Sequence, residues 1–130
     1  MIVVDASVVV TALGDDGPDG DRARDRLQGE RLVAPHLLDI EVTSAWRRMA
    51  SAGDLDERRV GFAMEDLRSL RIERAPHGPL LDRCWELRRN LTVYDAVYVA
   101  LAEAVERALL TADRKLVRAK GPRCTIELLQ

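Results

Sequence analysis

The chain contains no run of about 18 apolar residues of the kind needed to cross a bilayer. Its first apolar stretch, Met1 to Val4, is interrupted by Asp5 before it reaches signal-peptide length. Both absences argue against a membrane protein and a secreted one, and the protein is expected in the cytosol. Cysteine is scarce. Cys84 and Cys124 are the only two, and without a secretory signal they are expected as buried free thiols rather than a disulfide. Histidine is equally sparse: His36 and His77 each follow a proline, and neither has a second histidine or cysteine at ligand spacing, which argues against zinc. No glycine-rich phosphate loop follows the first predicted strand, so dinucleotide and Walker-type readings fall away. The segment Gly14 to Gly20, GDDGPDG, lacks the alternating ligands and trailing glutamate of a calcium loop and reads as a solvated connection. Internal repeats and low-complexity stretches are absent. A net charge of −2 excludes coating of long nucleic acid by bulk attraction, though not local readout.

What is present fits one domain over residues 1–130. Short apolar runs alternate with helical patterns. Strands are predicted at Met1–Val4, Leu32–Ala34, Ile72–Ala75, Ala108–Leu110 and about Cys124–Leu128. Between them come helices from Ser7 to about Leu13, from Arg22 to Gly29, from Pro35 to about Ala52, after the Asp54/Glu57 capping spacing, from Leu80 to Asn90 and from Ala96 to Val105. This order implies a three-layer α/β/α sandwich around a central, mostly parallel sheet. The helix pair on either side of Gly53 forms a hairpin suited to docking a partner or a second copy, or to the core alone.

The segment Thr92 to Leu116 organises the rest. Thr92 and Asp95 have the spacing of a capping box ahead of a helix that is apolar on most of its circumference, so that helix is buried. The strand after it ends at Thr111, and Asp113 follows. In a parallel α/β sheet the ligand crevice lies outside the carboxyl ends of the strands, which brings Asp95 and Asp113 toward one place. Capping and the helix dipole alone would explain Asp95, and a turn or a surface ion pair would explain Asp113. Asp5 is harder to explain away, because an acid following a buried strand is costly unless a cation, donor or water offsets it. Ser7 would serve as a cap. On the Pro35 helix, Asp39 and Glu41 flank the apolar stripe of Leu38, Val42, Ala45, Trp46 and Met49 on opposite sides, and amphipathicity does not choose between them.

Carboxylates gathered at one sheet edge cannot all stay ionised unless a cation neutralises them. Oxygen ligands without histidine or thiolate select a hard ion, magnesium or manganese, and such ions activate water against phosphodiesters. Four segments, IVVDAS, APHLLDIEVTSAWRR, TVYDAVYVALAE and LLTADRKL, occur in this order between Met1 and Leu128. Together they resemble the motif blocks of PIN-domain ribonucleases, specifically the VapC-type toxins of toxin–antitoxin pairs.

That resemblance implies an acidic metal site of Asp5, Glu41, Asp95 and Asp113, with Asp5, Asp95 and Asp113 as the metal ligands, and it selects Glu41 over Asp39. It implies that Ser7 and Thr111 are supporting hydroxyls. It also implies a magnesium- or manganese-dependent endoribonuclease acting on structured RNA such as transfer or ribosomal RNA, a homodimer, and a cognate VapB-type antitoxin. The rival from another class is a catalytically silent PIN-like module that binds protein or RNA, against which the intact acids count. A haloacid-dehalogenase-type phosphatase needs a second aspartate where Ser7 stands, and a receiver domain needs an acid pair where Asp5 stands alone.

Overall fold

In a computed structural model that describes residues 1–130, five short strands form one sheet. They are β1 (Ile2–Val4), β2 (Leu32–Pro35), β3 (Ile72–Ala75), β4 (Leu109–Thr111) and β5 (Ile126–Leu128). Their spatial order is β3-β2-β1-β4-β5, and every pairing is parallel. Strands β1, β2 and β4 are buried throughout, while the edge strands β3 and β5 are only partly so, as expected when helices cover both faces. The chain moves outward from β1 to β3 and then returns to place β4 on the other side of β1. Right-handed crossovers put the helices of the first half on one face and those of the second half on the other. The direction reverses between β1 and β4, so the crevice at their carboxyl ends is where such a sheet binds ligands.

The helices are α1 (Ala6–Gly14), α2 (Pro18–Leu27), α3 (Leu37–Ser51), α4 (Glu57–Ser69), α5 (Leu81–Glu86), α6 (Val93–Val105) and α7 (Arg114–Arg118). α6 is the central one: Ala96 to Ala102 are all buried, and the helix packs on β1, β2 and β4. Its apolar circumference follows from that position. On the opposite face α3 buries Leu38, Val42 and Trp46, and the Trp46 indole donates to the Val10 carbonyl at 3.3 Å.

Several element boundaries differ from the sequence expectation for local reasons. α2 starts at Pro18, not Arg22, so the solvated connection shrinks to Asp15–Gly17. Proline at a first helical position and Asp19 and Asp21 in the first turn favour this early start. Pro35 ends β2 instead of opening α3, whose first-turn Leu37 amide donates to His77 Nε2 at 2.9 Å. α4 is capped by Asp56, which accepts from the Arg58 amide at 2.8 Å, and not by Asp54. α5 stops at Glu86, well before Asn90. Trp85, which the sequence places with Leu80, Cys84 and Leu87 or Leu91 on the packing face of this helix, is 64% exposed, with the Arg88 guanidinium 4.2 Å from its ring centre. Ser7 lies inside α1 and caps nothing. Cys84 is buried, Cys124 partly so, and the two are unpaired.

Two glycines make the packing testable. A Cβ at Gly20 would meet the Asp15 backbone, with its carbonyl carbon at 2.7 Å, whereas one at Gly61, on the outer face of α4, would meet nothing. Gly20→Ala is expected to lower unfolding stability by about 1–3 kcal/mol through overpacking. Gly61→Ala is expected to raise it by roughly 0.5–1 kcal/mol, the helix-interior penalty of glycine. Urea unfolding of the two variants checks both signs.

Candidate functional site

Asp5 follows β1 and is the one buried charged side chain of the molecule, 7% exposed. A carboxylate so placed needs donors. Ser7 Oγ and Thr111 Oγ1 supply them, donating to Oδ2 at 2.7 and 2.8 Å. Each hydroxyl also accepts from the chain after β4: Ser7 Oγ from the Ala112 amide and Thr111 Oγ1 from the Asp113 amide, both at 3.0 Å. The ends of β1 and β4 are thus tied together across the switch point. Asp5 Oδ1 is left without a protein donor.

Asp95 stands in the first turn of α6. The Thr92 hydroxyl accepts from the Asp95 amide at 3.1 Å, so half of the capping box forms, but the Asp95 carboxylate returns no bond. Capping therefore accounts for Thr92 and leaves both Asp95 oxygens free. Asp113 caps α7, its Oδ1 accepting from the Lys115 amide at 2.9 Å. The turn reading holds for that oxygen, while Oδ2 has no donor.

The geometry separates the two acids of α3. Arg74 of β3 grips both oxygens of Asp39, at 2.7 and 3.0 Å, so Asp39 is engaged on the far side of the helix. Glu41 faces the other way, and its Oε1 accepts from the Tyr98 hydroxyl at 2.7 Å. Tyr98 is fully buried, one turn after Asp95 on α6. The sequence reading missed it. The available signal was a hydroxyl-bearing residue three positions after an acid, inside an otherwise apolar run.

The acids sense one another. Burial pushes Glu41 above the ordinary glutamate range, and the charges of Asp5 and Asp95 push it further, against the Tyr98 bond and the nearby Arg48. Asp95 is likewise raised by burial first, then by Asp5 and Asp113. Asp5, Glu41 and Asp95 therefore form one electrostatic group, which Asp113 joins through Asp95. No three of them close into a ready-made ligand shell. Repulsion among carboxylates opposes closer approach. The donor set nonetheless suits a hard dication: it is all oxygen, with one oxygen free on Asp5, Glu41 and Asp113 and two on Asp95. A concavity of about 500 Å³ lies at the opposite, amino ends of β4 and β5, between Ala102, Arg107 and Arg123.

A profile of the PIN domain matches residues 2–122. The chain is 45% identical over 132 residues to the VapC ribonuclease Mb0985 of Mycobacterium bovis, an alignment covering 99% of this chain and 98% of that one. Among solved structures it resembles PAE2754 from Pyrobaculum aerophilum, with a TM-score of 0.68, 27% identity, and coverage of 97% of this chain and 82% of the other. It also resembles VapBC2 from Rickettsia felis bound to a DNA fragment from their promoter, with a TM-score of 0.70, 17% identity and full coverage of both chains.

An acid whose pKa is raised by folding binds its proton more readily in the folded chain than in the unfolded one. Its ionisation therefore costs stability as pH rises through and above the carboxylate range. In chelator at pH 7, Asp95→Asn and Glu41→Gln are each expected to melt a few degrees above the parent. The advantage should fade below about pH 4, where the parent acids are protonated in both states. Scanning calorimetry across pH checks this, and equal or lower melting of both variants at pH 7 would contradict it.

Proposed function

The chain belongs to the PIN-domain family and, within it, to the VapC ribonucleases, and from that premise we propose that it is the endoribonuclease toxin of a toxin–antitoxin pair, using magnesium or manganese at Asp5, Asp95 and Asp113. Residues 1–130 act as a single PIN domain. The observation that carries this reading is the set of unengaged carboxylate oxygens at the carboxyl ends of β1 and β4, with Asp5, Asp113 and Glu41 each held by a hydrogen bond to another of their oxygens.

Asp5 is oriented by Ser7 and Thr111, so Oδ1 alone is offered outward. Asp113 is fixed by its own helix cap and offers Oδ2. Asp95, with no internal bond, offers both oxygens. When bound, the dication supplies positive charge that polarises a phosphodiester and an attacking water. Glu41 takes the proton of that water through Oε2; its raised affinity for protons makes it a better base than an exposed glutamate. Asp39, already paired with Arg74, takes no part.

The substrate is RNA, with structured transfer or ribosomal RNA the class that the resemblance implies, and the site of action is the cytoplasm. No helix is long and apolar enough to cross a membrane. The partner is a VapB-type antitoxin, consistent with the VapBC assembly crystallised from Rickettsia felis. Exposed Ile40 and Phe62 on the α3–α4 hairpin offer it an apolar face. A second copy of the chain has a separate face in Leu81, Trp85, Val93 and Tyr94.

Asp5→Ala and Asp95→Asn should bring magnesium-dependent RNA cleavage below detection in folded protein, and Glu41→Gln should slow it about 10²- to 10⁴-fold. Asp39→Asn should cut at a rate near the parent's. A folded Asp95→Asn protein that cuts like the parent, or an Asp39→Asn protein that does not cut, would refute the assignment. For the assemblies, Trp85→Asp should shift sedimentation toward the monomer, and Ile40→Asp with Phe62→Asp should weaken co-purification with the antitoxin.

A further inference from the structure

Tyr98 lies in the longest run of buried residues in the chain, Ala96 to Ala102. Phenylalanine would fill the same volume there, so packing alone does not call for the hydroxyl. A buried phenol needs a hydrogen-bond partner, and its partner belongs to another element: Glu41, in the second turn of α3. Tyr98 and Asp95 are three residues apart and share one face of α6. A single helix face thus contributes one acid of the site directly and holds a second by its oxygen.

We propose that Tyr98 is a positioning residue of the ribonuclease reaction, its buried hydroxyl fixing Glu41 by Oε1 so that Oε2 is aimed at the attacking water. The inference rests on the ribonuclease reading and on Glu41 as the proton acceptor within it. Every other hold on the site acts within the β1–β4 junction or within a helix's own first turn. The Tyr98–Glu41 bond is the one that joins a helix of the first half of the chain to one of the second half. It limits the freedom of a long side chain that has no other hydrogen bond, which is what a general base needs to keep its reacting oxygen in line. Burial and the adjacent Glu41 charge both disfavour ionisation of the phenol, so it remains a donor.

The test is Tyr98→Phe, with a rescue variant carrying 4-aminophenylalanine at position 98, which restores a donor at the same place. Cleavage of a defined RNA in magnesium is expected to show kcat reduced by about 10²-fold in Tyr98→Phe, KM within about threefold of the parent, and most of the loss recovered by 4-aminophenylalanine. A readout independent of activity is urea unfolding in chelator of Tyr98→Phe, Glu41→Ala and the double variant, in which the two changes should be non-additive. Calorimetric titration with manganese alone should give Tyr98→Phe a dissociation constant within about twofold of the parent's, since Asp5, Asp95 and Asp113 carry the ion. A parent-like kcat in Tyr98→Phe, a loss confined to KM, an additive unfolding cycle or a tenfold weaker manganese affinity would each overturn the role for Tyr98 while leaving the ribonuclease reading intact. A parent protein that cuts no RNA in magnesium or manganese would overturn that reading and this inference with it.

Discussion

A carboxylate buried at the end of the central strand is the constraint to which the rest of the site answers. Asp5 is largely withdrawn from water, yet two hydroxyls reach only one of its oxygens. The arrangement satisfies half of the side chain and leaves the other half without a donor. The supporting hydroxyls are themselves held by the two amides that follow β4, so the position of Asp5 depends on β4 docking beside β1. Asp113 leaves from that same junction, and Asp95 of α6 and Glu41 of α3 approach it from opposite faces of the sheet.

Three of the four acids, Asp5, Asp113 and Glu41, are tethered in a way that spares an oxygen. The tethers differ in kind: hydroxyls for Asp5, a helix-capping amide for Asp113, a phenol for Glu41. Asp95 has none, and its place is set by the helix that carries it. Such a cluster is unfavourable for folding by itself, because burial and like charge both resist ionisation. Stability is instead supplied by the apolar faces of α6, α3 and the three inner strands.

Much of this was legible in the residues. Alternation of short apolar runs with helical periods gave the parallel sheet, and the acids after β1 and β4 followed from the strand ends. The apolar circumference of α6 announced its burial. What the sequence did not carry was any contact between elements far apart in the chain. Periodicity treated Asp39 and Glu41 alike because both flank one stripe; the family resemblance chose Glu41, and Arg74, 35 residues onward, supplies the physical reason by occupying Asp39. Tyr98 was hidden for the same reason, since its partner lies on a helix 57 residues earlier. Trp85 misled in the other direction. The sequence groups it with Leu80, Cys84 and Leu87 as a packed residue of one helix, but α5 ends at Glu86, and Trp85 lies outside while those three are buried.

The tie between Asp5 and Thr111 spans 106 residues of sequence. During synthesis, therefore, Asp5 waits for Thr111, 106 residues later, before its Oδ2 is set. A chain interrupted before Thr111 has neither the hydroxyl that secures Asp5 nor the acid that follows it. The four acids are therefore brought together only once β4 has docked against β1.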